Sequence, residues 1–355
     1  MMEIKKERGA VYCNEEAWKH LKSKLVSLHP SKLFILVNTH TARFCLPVFL
    51  ELSEITSYEV LTIEAGEKYK NITSCVDLWH LLSEKGADRK SVLINLGGGV
   101  VTDLGGFVAS TFKRGIEFIN IPTSLLAMVD ASVGGKNGVD LGTLKNQIGV
   151  IKEPLQVIVD TNFLKTLPKN EVVSGYAEML KHGLIHSEDY WNDVQKFDIK
   201  NPASEENLIW KSILIKNEVV TEDPFEQNRR KTLNYGHTLG HAIESYCLAS
   251  ETKKTLLHGE AIAIGIILAT FLSTELLNFP KQKCQHIANV ILSHYPKVEF
   301  TETTINDCIE LLKYDKKNQH GKVLFVLLND IGKHEINCEV PNDLIYKAFS
   351  YYKNL

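Results

Sequence analysis

The sequence has few of the features that mark a membrane protein, a disulfide-bonded protein or a nucleic-acid-binding protein. Its seven cysteines are scattered, and none lies in a Cys-x-x-Cys pair, so neither a disulfide framework nor a thiolate metal site is indicated. The longest apolar run, residues 261–272, is shorter than the ~18 residues that a membrane-spanning helix needs. The net charge of −3 argues against a nucleic-acid partner, which usually requires a basic surface.

Length and composition are those of an ordinary globular protein. The chain has 355 residues, of which 44% are hydrophobic and 23% charged, and this length predicts about two domains. The first residues, Met-Met-Glu-Ile-Lys-Lys-Glu-Arg, lack the apolar core of a secretory signal. We therefore expect a cytoplasmic protein that binds neither membrane nor nucleic acid.

Apolar runs of strand length alternate with helical patterns in the first part of the chain. Residues 33–38 (Leu-Phe-Ile-Leu-Val-Asn) and 92–96 (Val-Leu-Ile-Asn-Leu) are bounded by polar residues or glycine, and a helical pattern at 71–85 lies between them. Further strand candidates are 58–63, 116–121 and 156–160. Because this alternation is typical of a parallel sheet covered by helices, residues 1–165 are predicted to form one α/β domain.

The part of the chain after Leu167-Pro168 has the pattern of long helices. These helical patterns lie at 171–186, 204–221, 234–248, 258–276 and 282–294. A late hairpin is predicted at Val323–Leu328 and His334–Cys338. Residues 166–355 are therefore predicted to form a second, mainly helical domain.

A glycine run, Gly97-Gly98-Gly99-Val-Val-Thr102-Asp103, follows the strand predicted at 92–96. The amides of such a turn and the N-terminus of the next helix can hold a pyrophosphate, although a strand-to-helix turn without a ligand is the alternative. The run is not Gly-x-Gly-x-x-Gly, and no acidic residue is well placed about 20 residues on to hold a ribose. An ordinary Rossmann dehydrogenase is therefore disfavoured.

Charged and amide side chains lie in the glycine-rich stretch that follows. Lys136 comes directly after Gly134-Gly135, and Lys145 and Asn146 follow it closely. Glycine-rich turns let backbone amides and ammonium groups approach a phosphate together, so this stretch suits anion binding. A solvated loop is the alternative, and Asp130, which lies in an otherwise apolar segment, argues against it.

Three of the thirteen histidines lie between residues 237 and 258. His237 and His241 are four residues apart in a helical pattern, so both imidazoles would project from one helix face, and His258-Gly-Glu260 follows. This arrangement can hold a divalent metal ion, which usually takes three protein ligands at a catalytic site. The best acidic candidate is Glu178, which lies mid-helix among apolar residues. Spacing alone leaves open whether its carboxylate is solvated or paired inward with a cation.

Five stretches of the sequence resemble the 3-dehydroquinate synthase family of the shikimate pathway, in order and spacing from residue ~34 to ~335. They are Gly97-Gly-Gly-Val-Val-Thr-Asp-Leu-Gly-Gly-Phe-Val-Ala, Asp130-Ala-Ser-Val-Gly-Gly-Lys, Leu144-Lys-Asn, Gly175-Tyr-Ala-Glu-Met-Leu-Lys and Leu233-Asn-Tyr-Gly-His-Thr-Leu-Gly-His. The resemblance implies an α/β, Rossmann-like NAD-binding N-terminal domain and a mainly α-helical C-terminal metal-binding domain. It also implies a homodimer that uses NAD and one zinc or cobalt ion.

The activity that this resemblance implies is the conversion of 3-deoxy-D-arabino-heptulosonate 7-phosphate (DAHP) to 3-dehydroquinate and phosphate. The family carries out a transient NAD-dependent oxidation, phosphate elimination, re-reduction and an intramolecular aldol cyclisation. The implied metal ligands are Glu178, His237 and His258, with His241 facing the substrate phosphate. The implied NAD-binding residues are Glu67, Lys70, Gly98, Gly99, Val100, Asp103, Thr123, Ser124, Lys136, Lys145, Phe163, Leu164, Lys165 and Thr166. The implied substrate residues are Asp130, Lys136, Asn146, Lys181, Lys216, Arg230 and Asn234, together with Lys316 or Lys317 and with Arg114 from the other subunit.

The sequence departs from the family pattern at three places. Asn38 and His40 stand where the family often has an Asp and an Asn near the adenosine ribose. At 143–146 the usual Leu-Gly-Lys-Asn is replaced by Thr-Leu-Lys-Asn, so we expect this loop to differ in shape. Tyr235 replaces the commoner Phe, and we expect no consequence from that change.

Three other classes of function are alternatives. A related sugar-phosphate cyclase of the 2-epi-5-epi-valiolone synthase or amino-dehydroquinate synthase type would share the NAD and metal motifs, but Lys216, Arg230, Asn234 and His241 favour the shikimate substrate. A metal-dependent oxidoreductase of the glycerol dehydrogenase type would release NADH and would have little use for so many anion-binding residues. A non-catalytic binding protein would have no need to keep three metal ligands.

Overall fold

The computed structural model describes residues 2–142, 144–249, 255–314 and 322–355. The strands are β1 (Glu3–Ile4), β2 (Ala10–Cys13), β3 (Leu33–Asn38), β4 (Glu59–Ile63), β5 (Val92–Gly97), β6 (Glu117–Pro122), β7 (Lys136–Leu141), β8 (Leu144–Ile151), β9 (Gln156–Val159), β10 (Leu324–Asp330) and β11 (Lys333–Glu339). The helices are α1 (Asn14–Leu28), α2 (Thr39–Phe44), α3 (Leu46–Ser53), α4 (Ile72–Glu84), α5 (Gly99–Thr111), α6 (Lys169–His186), α7 (Glu188–Val194), α8 (Glu206–Glu222), α9 (His237–Ala249), α10 (His258–Leu277), α11 (Lys281–Leu292), α12 (Glu302–Leu311) and α13 (Asn342–Asn354).

The chain divides into two compact units. One consists of Met1–Val172 and Asp198–Asn217, and the other of Val173–Phe197 and Glu218–Leu355. The first unit therefore includes a segment from the later part of the sequence, Asp198–Asn217, which contains most of α8. A single domain boundary between residues 165 and 166 remains a prediction.

A sheet in the order β1-β2-β9-β6-β5-β3-β4 forms the centre of the first unit. Its neighbouring strands are parallel, except for β1 and β2, which are antiparallel. The predicted strands at 33–38, 58–63, 92–96, 116–121 and 156–160 correspond to β3, β4, β5, β6 and β9, so the predicted parallel sheet is confirmed. Strands buried on both faces read as continuous apolar runs, which is why these segments were recognisable from sequence.

Two glycines let α5 pack closely in the first unit. A Cβ at position 105 would lie 2.0 Å from Asn95 Oδ1, and a Cβ at position 106 would lie 1.9 Å from Asn137 Oδ1. Asn95 is on β5 and Asn137 is on β7, so the helix approaches both strands with its bare backbone. A side chain at either position would force the helix away from these strands.

The antiparallel hairpin β7–β8 differs from the glycine-rich turns that the sequence suggested. Its register pairs Lys136 with Ile151 and Gly138 with Gly149. A Cβ at position 138 would lie 2.6 Å from the carbonyl oxygen of Ile148, so the two strands meet where neither has a side chain. The glycines and polar residues hide the apolar alternation that normally identifies a strand.

The second unit contains α7, α9 to α13, the hairpin β10–β11 and most of α6. The predicted mainly helical character and the late hairpin are therefore confirmed. Helix α9 packs against α10 through glycines, since a Cβ at position 265 would lie 2.9 Å from the amide nitrogen of Gly240 in α9 and 2.0 Å from the carbonyl oxygen of Gly236, directly before α9. Helix α10 is long and apolar enough to cross a bilayer, but 67% of its apolar window is buried inside the protein, as in the core helix of a soluble protein.

Candidate functional site

The carboxyl ends of β3 and β5 border the topological switch point of the sheet in the first unit. The chain continues from β3 outward to β4, then returns to the other side of β3 to form β5. In open parallel sheets, ligands bind in the crevice that this reversal creates. Asn38 ends β3 and Gly97 ends β5, so the predicted glycine turn lies at this crevice.

The turn after β5 has the geometry of an anion-binding helix start. Gly98 is the N-cap of α5 and has no side chain to cap the helix. A Cβ at position 98 would lie 3.1 Å from Ser124 Oγ, and the amide of Thr123 donates to the carbonyl of Gly97 (3.0 Å). The structure thus brings together Gly98, Gly99, Thr123 and Ser124 of the predicted cofactor set. An exposed helix N-terminus favours a negatively charged group such as a phosphate.

A network of charged side chains joins four further members of the predicted cofactor set. Lys70 Nζ lies 2.6 Å from Asp103 Oδ2 and 3.8 Å from Glu67 Oε1. Lys145 Nζ contacts Glu67, and Lys70 Nζ also donates to Asn146 Oδ1 at 2.7 Å. Burial lowers the pKa of Lys70, but the carboxylates of Asp103 and Glu67 outweigh it, so this pKa lies above its usual value.

Asp130 and Lys216, both predicted for substrate binding, form an ion pair in the first unit. The distance from Lys216 Nζ to Asp130 Oδ1 is 2.6 Å. Asp130 lies on the π-helical turn Ala127–Ala131, and Lys216 belongs to α8. π-Helical turns are rare and occur frequently at functional sites. The two residues are 86 positions apart in the sequence, so local motifs could not predict that they pair.

Val100, Lys136 and residues 163–166 are further predicted residues of the first unit, and Val100 is half-buried in the first turn of α5. Lys136 is half-buried at the start of β7, after Gly134 (φ 101°) and Gly135 (φ 68°). The side chains of Phe163 and Leu164 are buried in the 3₁₀ helix Thr161–Thr166, whereas those of Lys165 and Thr166 are exposed.

Asn38 is partly exposed, and His40 and Arg114 are exposed, in the first unit. Asn38 caps α2, since its Oδ1 accepts from the amide of Thr41 at 2.8 Å, while His40 is exposed. Arg114 is exposed in a strained turn, because its φ is 70° and that of Lys113 is 49°. A surface cavity of about 390 Å³ is lined by Arg114, Lys113, Arg89 and Asp88.

In the second unit, Glu178 lies between the two histidines predicted to share a metal ion with it. Its Oε1 is 3.3 Å from His237 Nε2 and 3.4 Å from His258 Nε2, and its Oε2 contacts the ammonium of Lys181. Glu178 and Lys181 are 0% and 1% exposed. The alternative left open by the sequence is thereby decided, because the Glu178 carboxylate points inward and is paired with a cation.

The ionisation of this cluster follows from burial and from the charges around it. Burial opposes ionisation of Glu178, but Lys181 and His237 outweigh it, so the pKa of this carboxyl lies well below its usual range. Burial lowers the pKa of His237 despite the attraction of Glu178. Glu178 is therefore an anion and His237 a neutral imidazole at neutral pH, and both are forms that bind a metal ion.

A second layer of acceptors orients both imidazoles. His237 Nδ1 lies 3.1 Å from the carbonyl oxygen of Tyr235, and His258 Nδ1 lies 3.1 Å from Glu244 Oε2. An acceptor at Nδ1 holds a proton there, so Nε2 is the atom that can bind a metal ion. Burial lowers the pKa of His258, but the carboxylates of Glu244 and Glu178 outweigh it and raise this pKa to about 10, so a metal ion would displace the second proton from Nε2. Both Nε2 atoms face the same oxygen of Glu178, so these three residues fit one divalent metal ion with nitrogen and oxygen ligands.

His241 lies beside the other two histidines. Its ring centroid is 5.1 Å from that of His237 and 5.7 Å from that of His258, and one ring nitrogen of each lies within 4.8 Å of the others. The helical spacing of His237 and His241 therefore places their rings together, as predicted. The division of roles between a metal ligand and a substrate-facing residue stays a prediction.

The predicted phosphate residues Arg230 and Asn234 lie in the 3₁₀ helix Arg229–Asn234. Arg230 is 1% exposed, and its guanidinium donates to the carbonyl of Pro224 at 2.6 Å. Asn234 Nδ2 donates to Glu226 Oε1 at 2.6 Å. Lys316 and Lys317, also predicted near the phosphate, lie outside the described residues.

Three acidic residues escaped the sequence analysis although the structure ties them to predicted site residues. Glu226 accepts from Asn234, Glu244 holds His258, and Asp140 accepts from the amide of Asn146. Glu226 has φ 58°, a strained conformation that is enriched at functional sites. Glu244 follows His237 by two turns of α9 and so lies on the same helix face. This spacing is the sequence feature that could have identified Glu244 as a site residue.

Comparisons with known proteins agree over nearly the whole chain. The family model described as "3-dehydroquinate synthase N-terminal" matches residues 60–174, and "3-dehydroquinate synthase C-terminal" matches residues 175–318. The chain is 42% identical to a 3-dehydroquinate synthase of Parabacteroides distasonis over 349 residues, which is 98% of each protein.

Solved structures share the fold. A 2-epi-5-epi-valiolone synthase of Streptomyces hygroscopicus with NAD+ and Zn2+ bound is 21% identical and superposes with a TM-score of 0.85, covering 99% of this chain and 98% of that one. A 2-deoxy-scyllo-inosose synthase complexed with carbaglucose-6-phosphate, NAD+ and Co2+ is 24% identical, with a TM-score of 0.83 and 96% of both chains covered. With two family models that together span residues 60–318 and a full-length relative at 42% identity, the chain belongs to the 3-dehydroquinate synthase family.

Proposed function

We propose that this chain converts DAHP to 3-dehydroquinate and inorganic phosphate. The observation that carries the proposal is the 42% identity to a curated 3-dehydroquinate synthase over 98% of the chain. The site geometry supports it independently, because Glu178, His237 and His258 form a set of ligands that fits one metal ion. The reaction is redox-neutral overall, since the substrate is oxidised, loses phosphate and is then reduced again.

The cofactors in this proposal are NAD and one zinc or cobalt ion, each held by residues of one unit. The first unit would hold NAD at the turn Gly98–Val100, at Thr123 and Ser124, and at the ion-pair network of Glu67, Lys70, Asp103 and Lys145. The second unit would hold the metal ion at Glu178, His237 and His258. When bound, NAD+ accepts and returns a hydride, and the metal ion acts as a Lewis acid that acidifies a substrate hydroxyl.

The residues of the second unit set the protonation states that this chemistry needs. Tyr235 and Glu244 hold a proton at Nδ1 of His237 and His258, so each Nε2 stays free of protons when a metal ion is bound. Lys181 compensates the charge of the buried Glu178 carboxylate.

Cationic and amide side chains would recognise the phosphate and carboxylate of the substrate. In the first unit these are Lys136, Asn146 and Lys216, and Asp130 orients the ammonium of Lys216. In the second unit they are Lys181, Arg230, Asn234 and His241. Lysine supplies a point charge and arginine a planar pair of donors, which suits an anionic substrate.

The homodimer and the cytoplasmic location are also part of the proposal. Arg114 would act on the active site of the partner subunit, and Lys316 or Lys317 would complete the phosphate pocket. The exposed turn at Lys113 and Arg114 has two consecutive residues with positive φ, and residues in this conformation cluster at functional sites.

The proposal is tested by giving the purified, metal-loaded protein DAHP and catalytic NAD+ while phosphate and NADH are followed together. We expect stoichiometric phosphate without net NADH, because the hydride returns to the product. Controls without NAD+ and with chelator-stripped protein should release no phosphate. Accumulating NADH with a simple polyol, and no reaction with DAHP, would instead establish a dehydrogenase.

We expect Glu244→Gln to weaken metal binding by roughly 10–100-fold, the usual cost of losing an acceptor behind a metal-binding histidine. The amide keeps an oxygen near His258 Nδ1 but removes the charge that makes the imidazole a strong ligand. The measurement is competition of Zn2+ between the protein and a chelator, together with the visible spectrum of the Co2+-loaded protein, which reports ligand geometry.

The matched control for this variant is Tyr246→Phe on the same helix. The hydroxyl of Tyr246 bonds Thr304 at 3.3 Å, and Phe at this position should leave metal affinity and spectrum unchanged. A Glu244→Gln protein with the metal affinity and Co2+ spectrum of the wild type would show that Glu244 does not position His258.

A further inference from the structure

We propose that Asp140 is a positioning residue that holds the two segments of the NAD-binding network together, an inference that rests on the proposed function. The segments are Glu67–Asn71, after β4, and Lys145–Asn146 on β8. Asp140 lies on β7, and 6% of it is exposed.

The backbone and the carboxylate of Asp140 each join different parts of the network. Its amide donates to the carbonyl of Lys70 at 2.9 Å, and it forms an isolated parallel bridge with Asn71. Its Oδ1 accepts from the amide of Asn146 at 2.7 Å, and its Oδ2 lies 3.4 Å from Lys145 Nζ. One buried residue therefore touches both segments that carry the cofactor-binding lysines.

The hydrogen bond from the Asn146 amide to the Asp140 carboxylate stabilises an unusual backbone conformation at Asn146. Asn146 has φ 51°, in the left-handed region, which asparagine tolerates better than most residues. The carboxylate stabilises this conformation by accepting the amide of the same residue, and a hydrogen bond to a charged group is stronger than a neutral one. In this conformation Asn146 presents its Oδ1 to Lys70 Nζ at 2.7 Å.

The charges around Asp140 offset part of the cost of burying its carboxylate. Burial raises the pKa of Asp140 above its usual value, and the ammonium groups of Lys145 and Lys70 limit this rise. The Lys145 side chain is only 7% exposed and contacts both Asp140 and Glu67. Loss of the Asp140 charge would remove part of what holds Lys145, so the lysine would no longer be preorganised for a cofactor.

The cost of losing this arrangement should appear in the affinity for NAD+. For Asp140→Ala we expect the Kd of NAD+ to rise about tenfold or more, because the hydrogen bond to Asn146 and the contact with Lys145 are both lost. For Asp140→Asn the rise should be smaller but measurable, since an amide oxygen can still accept from Asn146 while the charge is gone. This graded order separates positioning by the carboxylate from a purely steric role.

The experiment is calorimetric titration of the full-length protein with NAD+, with far-UV circular dichroism and unfolding temperature measured without cofactor. Asp77→Ala, an exposed carboxylate on α4 of the same unit, is the control and should bind NAD+ as the wild type does. Failure of the wild type to bind NAD+ would refute the proposed function itself. Wild-type affinity in folded Asp140→Ala would refute only the role of Asp140. If Asp140→Ala does not fold, Asp140→Asn decides, and an unchanged Kd in that variant overturns the inference.

Discussion

Replacing Glu178 by glutamine is expected to remove tightly bound metal and to lower turnover by about a thousandfold or more. A metal ion contributes several kcal/mol of charge stabilisation in the transition state, which corresponds to a rate factor of that size. Glutamine offers a neutral oxygen where the two histidines and Lys181 face a carboxylate. The measurements are metal content after dialysis and initial rates of phosphate release.

The same substitution should lower the free energy of unfolding, by at most roughly 3–5 kcal/mol, because the buried ammonium of Lys181 loses its carboxylate partner. Circular dichroism must therefore accompany the rates, so that lost activity is not mistaken for lost folding. Glu171→Gln, at the start of the same helix α6, is the matched control and should keep its metal. A folded Glu178→Gln protein with a full complement of metal and normal rates would contradict the assignment.

Lys136→Ala is expected to lower turnover by roughly 10²–10³-fold, the usual cost of removing one charge-stabilising donor from an active site. The fold should survive, because Lys136 is half-buried at the first residue of β7, where the backbone determines the pairing with Ile151. If the ammonium stabilises charge that develops on the departing phosphate, kcat should fall more than KM rises.

Two further variants test whether the effect is specific to the charge and geometry of Lys136. Lys136→Arg keeps the charge but changes its geometry, so it should recover only part of the activity. Lys90→Ala removes an exposed lysine of the same unit and should have the activity of the wild type. Near-normal turnover in folded Lys136→Ala protein would exclude Lys136 from the substrate site.

The fold was predictable where burial leaves a regular pattern in the sequence. Strands such as β3 and β5 are continuous apolar runs because helices cover both faces of a parallel sheet, and α10 is an apolar run because it is a core helix. The hairpin β7–β8 was missed because glycines stand at its closest approach and polar residues at its functional positions. The grouping of Asp198–Asn217 with the first unit depends on contacts between residues distant in sequence, which a linear pattern does not record.

The candidate site, like the fold, was only partly predictable from the sequence. Spacing alone indicated His237 and His241 on one helix face with His258 after them, and the resemblance to the 3-dehydroquinate synthase family gave Glu178, His237 and His258 as the ligand set. The supporting residues Glu244, Glu226 and Asp140 lay near the family motifs, but an isolated carboxylate has no distinctive spacing. Their roles became visible only from partners such as His258 Nδ1 and the amide of Asn146.

By itself, the sequence determined the parallel α/β sheet, the glycine turn after β5, the helical second part and the chemical types needed for a metal ion and a phosphate. These features depend on local periodicity and residue identity, which a linear sequence records directly. Only the tertiary structure decided that Glu178 points inward, that Lys216 pairs with Asp130 and that Asp140 joins two segments of the cofactor network. Those decisions depend on desolvation and on distances between residues far apart along the chain, and sequence spacing carries no information about either.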